Sequence, residues 1–121
     1  MPLCIRAKTL FVGVDVHKDS HTAVGLTPFG EKVFEMKITN ERKDFETLMR
    51  RSHDEATRVG LVPCFGLEDV KSYGERLSGF LVEHALPVVA VPPVLVDRAR
   101  QHQTHPEKSD SLDAQGVAEV M

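Results

Sequence analysis

Two acidic residues stand at the ends of apolar segments, where a charge is costly to bury. Asp15 follows the apolar run 10–14, and Glu68 follows the apolar segment 60–67. A charge within a buried strand is unfavourable unless it is paired or binds a cation, and sites in open α/β sheets form where strands end. Two simpler explanations stay open: Asp15 already faces water at its strand end, and Glu68 is a loop acid beside a helix-capping Asp69.

Two further acids lie on the apolar side of a predicted helix near the end of the sequence. The helix dipole favours an acid in a first turn by roughly a few tenths of a kcal/mol. That effect explains one acid here, but not two acids aligned with the apolar side. The i, i+3, i+4 stripe comprises Asp110, Asp113, Ala114, Val117, Ala118 and Met121.

Four carboxylates brought together from two strand ends and one helix start would repel one another unless a cation lay between them. Oxygen ligands select hard cations, and Mg²⁺ is the expected one, with Mn²⁺ as a substitute. Two such ions, held by shared carboxylates, activate an attacking oxygen and stabilise a leaving oxygen at a phosphodiester. The acids therefore point to metal-dependent phosphodiester chemistry.

The elements that must position these acids follow an α/β pattern. Short alternating runs separated by turn residues predict three antiparallel strands, after which helical i, i+3, i+4 spacing alternates with short apolar runs. Thr39 or Asn40 is the predicted cap of the first helix, Asp69 of the second and Ser109 of the last. The predicted strands cover 10–17, 22–26, 32–38, 60–67 and 87–91, and the later helical and loop segments are an apolar-striped helix from Val70 to His84, a short helix over 94–101, a polar loop over 101–107 and a last helix over 110–121.

Composition limits the class of protein. The 121 residues suggest a single domain over 1–121. With 15 basic and 18 acidic residues the net charge is −3, which is not that of a strongly basic nucleic-acid module. No apolar run approaches the roughly 20 residues of a membrane span, and the first ten residues lack the features of a signal peptide. We therefore expect a cytoplasmic protein without a membrane partner.

Three motifs around these acids resemble a known family. The segment 12–19, Val-Gly-Val-Asp-Val-His-Lys-Asp, is similar to the opening of the DEDD transposases of the one-ten insertion-sequence group. The segment 66–69, Gly-Leu-Glu-Asp, resembles their second acidic motif, and 108–114, Lys-Ser-Asp-Ser-Leu-Asp-Ala, resembles their most specific one. The order Asp, Glu, Asp, Asp also agrees, and the resemblance extends from Phe11 to Met121.

The resemblance implies a fold and a reaction. The family's N-terminal domain has an RNase H-like fold related to the RuvC resolvases and is similar to the Piv invertases. That implies a mixed five-stranded sheet, with an antiparallel meander of the first three strands followed by αβαβα and helices on both faces. It also implies that Asp15, Glu68, Asp110 and Asp113 are the metal-binding catalytic tetrad of Mg²⁺-dependent DNA cleavage and strand transfer at nucleoid DNA.

The same resemblance implies partners. They are the DNA of the element ends and of the target, and in some members a guide RNA encoded by the element. Further copies of the same chain are also implied, in a homodimer or homotetramer. Members of the family also carry a C-terminal domain with a serine implicated as nucleophile, and this sequence stops after the last acidic motif. The expectation is therefore an N-terminal catalytic domain that is inactive when isolated.

Basic residues near the acids are candidates for contacts to nucleic-acid backbone. A solvated polar loop is the commoner explanation of such a group. With the four acids assigned to a cation, 15 basic residues face 14 acidic ones, so net charge does not exclude DNA. The candidates are His17, Lys18, Arg98, Arg100, His105 and Lys108.

Three alternatives compete with the transposase hypothesis. A zinc site over Asp15, His17, Asp19 and His21 would need one straight strand face, which the turn-forming residues around Lys18 oppose. Actin-like and sugar-kinase ATPases share a three-stranded opening but need a Gly-rich phosphate loop after the first acid, and none follows here. The last alternative is a non-catalytic nucleic-acid-binding or oligomerisation module left by truncation.

Overall fold

The computed structural model describes residues 6–92 and 110–121, and side chains in that range apart from those of 110–112. A five-stranded mixed sheet has the order β3-β2-β1-β4-β5. The first three strands pair antiparallel, whereas β1, β4 and β5 run parallel. The strands are β1 Thr9–Val16, β2 Ser20–Leu26, β3 Lys32–Thr39, β4 Val62–Leu67 and β5 Val88–Ala90, and the helices are α1 Arg42–Arg58, α2 Glu75–Glu83 and α3 Asp110–Glu119.

Helices cover both faces of the sheet. On one face, the even-numbered residues of β1 join a core with α1 and α2, while on the other Phe11 packs against Ala114 and Ala118 of α3. This is the predicted RNase H-like architecture, with the meander and the αβαβα order confirmed. The larger core includes Leu10, Val12, Val14, Phe45, Leu48, Phe65, Leu67, Leu77, Phe80 and Leu81.

A close approach between β1 and α3 fixes where that helix lies. A Cβ atom added to Gly13 would overlap the Ala114 carbonyl oxygen and the Ala118 amide nitrogen, so only glycine allows this packing. At the other end of α3, the Arg6 guanidinium donates to the Met121 carbonyl at 2.7 Å. Because Arg6 precedes β1, α3 runs back along the strand. Its first turn therefore lies toward the carboxyl end of β1.

The predicted caps of the first two helices are wrong. Thr39 and Asn40 do not cap α1. The cap position is Glu41, whose side chain forms no capping hydrogen bond. Instead the Thr39 N–H and hydroxyl both donate to Asp44 Oδ2 at 2.7 Å. Asp69 accepts the N–H groups of the next turn, from Ser72 at 2.8 Å among others.

The Asp69 turn shortens the predicted second helix. The bonds from Ser72, Lys71 and Tyr73 hold the pKa of the Asp69 carboxyl below its ordinary value, since they favour the charged form. They also use N–H groups that would otherwise begin a helix, so α2 starts only at Glu75. Of the predicted apolar stripe between Val70 and His84, Leu77, Phe80 and Leu81 are buried in α2.

The end of the sheet also differs from the prediction. The sequence predicts a buried strand over 87–91, but β5 has only three residues and Ala90 is exposed. This strand lies at the edge of the sheet, since within the described residues it pairs with β4 alone. The last helix ends at Glu119, two residues before the predicted end. The predicted helix 94–101, the loop 101–107 and the Ser109 cap lie outside the described residues. Among the described helices, none has the length and apolar character that crossing a bilayer requires.

Candidate catalytic site at the carboxyl end of β1

Asp15 is a buried carboxylate near the end of the central strand. Its exposed fraction is 6%, so the explanation that it faces water does not hold. It lies opposite Thr22 of β2 and, two residues after Gly13, on the face of the sheet that α3 covers. His17 Nε2 is 2.8 Å from Asp15 Oδ2, so the imidazole donates to the carboxylate. The strand end therefore carries a charged group held in a defined position.

The parallel pairing of β1 and β4 brings Glu68 beside Asp15. Val14 is the register partner of Leu67, and one further step along both strands leads to the two acids. Adjacent strands are about 4.8 Å apart. Glu68 is half-buried and directly follows β4, which agrees with its predicted place at a strand end.

Asp113 supplies a second buried carboxylate, from α3, which packs on the same face of the sheet as Asp15. It is 5% exposed and directly precedes Ala114, whose backbone lies on Gly13. Burial of both Asp15 and Asp113 is what the apolar strand and the helix stripe predicted. Asp110 is the first residue of α3, and its side chain lies outside the described residues.

The described side chains do not by themselves form a metal cage. Among residues 6–92 and 113–121, no group of three or more His, Cys, Asp or Glu side chains is close enough to hold an ion. The donor set at this edge is nevertheless all carboxylate at Asp15, Glu68 and Asp113, which is the ligand chemistry of hard cations.

A buried histidine holds the turn that follows β1. The His17 N–H donates to His21 Nδ1 at 3.4 Å, so His21 Nε2 carries the proton and donates to Asn40 Oδ1 at 3.2 Å. Asn40 in turn donates to the Lys18 carbonyl at 3.3 Å. The sequence suggests His21 only as a zinc ligand. The available signal was its place among the apolar residues of β2.

The zinc alternative does not fit this geometry. His21 is fully buried on the α1 side of the sheet, stacked on Phe45 with ring centroids 6.4 Å apart. Asp15 lies on the α3 side. Since the two side chains point to opposite faces, they cannot share one ion, and His21 serves instead to position the turn that carries His17.

The burial of His21 predicts a pH-dependent stability. Desolvation lowers the pKa of His21 below its ordinary value of 6.5, because burial disfavours the charged imidazolium. The unfolded state then binds the proton more readily, so stability is complete above pH 6.5 and is lost as the pH falls through the lowered pKa. Urea melts between about pH 5 and 8 would show this loss. His21→Gln should flatten the profile, whereas the same change at exposed His53 should leave it; an unchanged profile in His21→Gln would contradict the assignment.

The candidate nucleic-acid residues are only partly described. His17 is half-exposed on its contact with Asp15, and Lys18 is exposed in the turn. Arg98, Arg100, His105 and Lys108 lie outside the described residues. Lys18 borders an open cleft of about 430 Å³ lined by Lys18, Asp19, Thr39, Asn40, Glu41 and Arg76.

Comparison with known families assigns this chain to a family. A transposase family model of the IS110 DEDD type matches residues 12–121. The chain belongs to this transposase family. The match begins within β1 and includes all four acids, so the family assignment covers the whole candidate site.

A curated relative of this transposase chain comes from an insertion element. The chain is similar to the "Insertion element IS116 uncharacterized 44.8 kDa protein" of Streptomyces clavuligerus, with 28% identity over 114 residues. The aligned region is 94% of this chain and 27% of the relative. The chain thus spans about a quarter of the length of that relative.

Proposed function

We propose that this chain carries the metal-binding acids of a DNA transposase and serves Mg²⁺-dependent phosphodiester cleavage and strand transfer. The observation that carries the proposal is the pair of buried carboxylates, Asp15 on β1 and Asp113 on α3. They come from elements that the Gly13 contact holds together. Burial of a carboxylate is costly unless the group is paired or binds a cation. His17 already pairs with Asp15, and the family assignment indicates what a cation would do beside that pair.

The donor set fits a hard divalent cation. Asp15, Glu68, Asp113 and, by its place one turn earlier on α3, Asp110 supply only oxygen atoms, which favours Mg²⁺ with Mn²⁺ as a substitute. When bound, such an ion supplies charge stabilisation and activates an oxygen for attack at phosphorus. The acids hold it, and the His17 imidazole orients Asp15 by donating to Oδ2. Because Asp15 and Asp113 are buried, water would screen their attraction to the ion only weakly.

The DNA strand would lie along the same edge of the sheet. His17 and Lys18 flank Asp15 in the β1–β2 turn and are placed to contact backbone phosphates. Arg98, Arg100, His105 and Lys108 are retained as candidates from the sequence alone. The proposed ligands are element-end and target DNA, and a guide RNA is an expectation from the family. The family also leads us to expect a dimer or tetramer that acts in the cytoplasm, at the nucleoid.

Complete transposition is attributed to the whole protein rather than to these residues alone, because the chain spans 27% of its relative. By itself, the chain is expected to bind the ion and DNA without completing strand transfer. A non-catalytic nucleic-acid-binding or oligomerisation module is the second candidate. It predicts salt-sensitive nucleic-acid binding without any effect of divalent ions.

Thermal melting with divalent ions tests the metal site. Mg²⁺ or Mn²⁺ should raise the melting temperature, because an ion that binds only the folded state stabilises it by about 2.7 kcal/mol at a hundredfold excess over its dissociation constant. Asp15→Asn should remove this rise. The exposed neighbour Asp19→Asn makes the same change of charge four residues away and should retain it. Equal shifts in the two variants, or no shift in the unaltered chain, would contradict the metal site.

A further inference from the structure

We propose that Lys37 is a DNA-contacting residue of the candidate site and binds a backbone phosphate of the strand that lies over the acids. This inference rests on the proposed function and deepens it, since it names a residue that binds the substrate strand. Neither the acidic motifs nor the basic residues predicted from the sequence include Lys37.

The strand pairing places Lys37 in one row with the acids. Asp15 of β1 lies opposite Thr22 of β2, and Thr22 lies opposite Lys37 of β3. Since register partners in a sheet point to the same face, Asp15, Thr22 and Lys37 all project toward the α3 side. Glu68 continues this row on the other side of Asp15, one residue after the Val14–Leu67 pair.

The alternation along β3 confirms which side Lys37 faces. Ile38 is buried in the core with α1, and Met36 packs against that core. Their intervening neighbour Lys37 therefore faces the opposite side of the sheet. Two strand spacings separate its backbone from that of Asp15, or about 10 Å. A lysine side chain spans a large part of that distance, so its ammonium can approach a strand that lies over the acids.

The charge of Lys37 is available for a ligand. Lys37 is exposed, and within the described part of the chain it forms no ion pair. The acid two residues earlier on the same face, Glu35, is held by Lys32 at 2.7 Å. The arrangement thus neutralises Glu35 at the far end of β3 and leaves a cation at the level of Asp15.

A protective role at the sheet edge is the competing explanation. Within the described residues β3 pairs only with β2, and lysines on such edges discourage pairing with other chains. Edge protection would be satisfied by a lysine at any exposed position of β3. Its alignment with Asp15 and Glu68 is what a ligand that spans the row would require. A nucleic-acid strand fits, since it carries a phosphate charge on every nucleotide.

Salt-dependent DNA binding tests the assignment. The probe is a fluorescein-labelled duplex of about 30 base pairs of arbitrary sequence, because phosphate contacts are independent of sequence. Anisotropy is measured with the whole chain across a range of salt concentrations. Lys37→Gln should weaken binding about fivefold to tenfold near 0.1 M salt and lower the salt slope by about 0.9. Lys37→Arg should restore both values.

Lys8→Gln is the matched control. Like Lys37, Lys8 is exposed and forms no ion pair within the described residues. It precedes β1, at the end opposite Asp15, so its loss should leave the slope unchanged. Equal losses in the two variants, or increased aggregation of Lys37→Gln with unchanged affinity, would overturn the inference. If the unaltered chain lacks salt-sensitive binding, both this inference and the DNA role fail. If binding depends on Lys37 but Mg²⁺ does not stabilise the chain, only the catalytic part of the proposed function fails.

Discussion

Replacing Gly13 with alanine should lower the free energy of unfolding by about 2–3 kcal/mol and abolish stabilisation by divalent ions. An added Cβ would occupy the space of the Ala114 carbonyl oxygen and the Ala118 amide nitrogen. These are backbone atoms of α3, and they cannot rotate away as a side chain does. The helix must therefore move off β1, taking Asp113 with it.

The effect on ion binding follows from where Asp113 lies. Asp113 is the residue before Ala114, which lies against Gly13. Because Gly13 and Asp15 are both on β1, this contact sets how close Asp113 lies to Asp15. Carboxylate ligands must be held within about 0.5 Å of their productive positions, and a displaced α3 exceeds that tolerance. The variant should thus still unfold cooperatively but show no Mg²⁺-dependent rise in its melting temperature.

Gly79→Ala is the control for this prediction. Gly79 lies inside α2, and a Cβ added there meets nothing within 4 Å. Because alanine favours a helix over glycine, this variant should gain about 0.5–1 kcal/mol. Urea melts of both variants, with and without Mg²⁺, measure the difference. A Gly13→Ala protein as stable as the unaltered chain would show that α3 does not lie on β1.

The Gly13 contact also illustrates what the sequence could not reveal. A glycine in an apolar strand indicates a close approach of some kind, but the partner, Ala114, is about a hundred positions away along the chain. No periodicity connects the two segments. The sheet, by contrast, was predictable because β1, β2 and β3 are consecutive, alternate in polarity and are joined by short turns.

The helix starts were the weakest part of the prediction, for a local physical reason. Thr39, Asn40 and Asp69 are all residue types that cap helices, and each instead bonds within a turn or junction. Side chains of this kind compete for the same backbone groups in turns and at caps. Composition alone does not decide between a turn and a cap. In the folded chain Asp69 forms a turn, and α2 therefore begins at Glu75 rather than directly after Asp69.

The acids of the candidate site were easier to find than the residue that positions them. Asp15 and Asp113 stood out because each interrupts an apolar pattern, and both are buried. His21 interrupts such a pattern too, but its role depends on the His17 N–H and on Asn40, which only the folded chain brings together. Lys37 became a candidate through strand register, which the sequence did not specify.

Asp113→Asn should reduce excision of the element by at least about a hundredfold. The change preserves size and removes the charge that would hold the ion. A metal ion contributes several kcal/mol to stabilising the transition state. Each 1.36 kcal/mol that is lost lowers the rate about tenfold, so a loss of about 2.7 kcal/mol already lowers it about a hundredfold. The measurement is excision of an element that interrupts a plasmid-borne reporter, with the transposase expressed in its natural reading frame.

Two comparisons separate loss of chemistry from loss of structure in that experiment. Asp19→Asn removes a charge from an exposed residue of the β1–β2 turn and should leave excision unchanged. The Asp113→Asn protein should keep its circular dichroism spectrum and its salt-sensitive DNA binding, because the Gly13–Ala114 contact and Lys37 are intact. Excision near the unaltered level would remove Asp113 from the metal site, whereas loss of both folding and excision would assign it a structural role on α3. Excision lost with folding and DNA binding retained is the outcome that a metal-holding carboxylate requires.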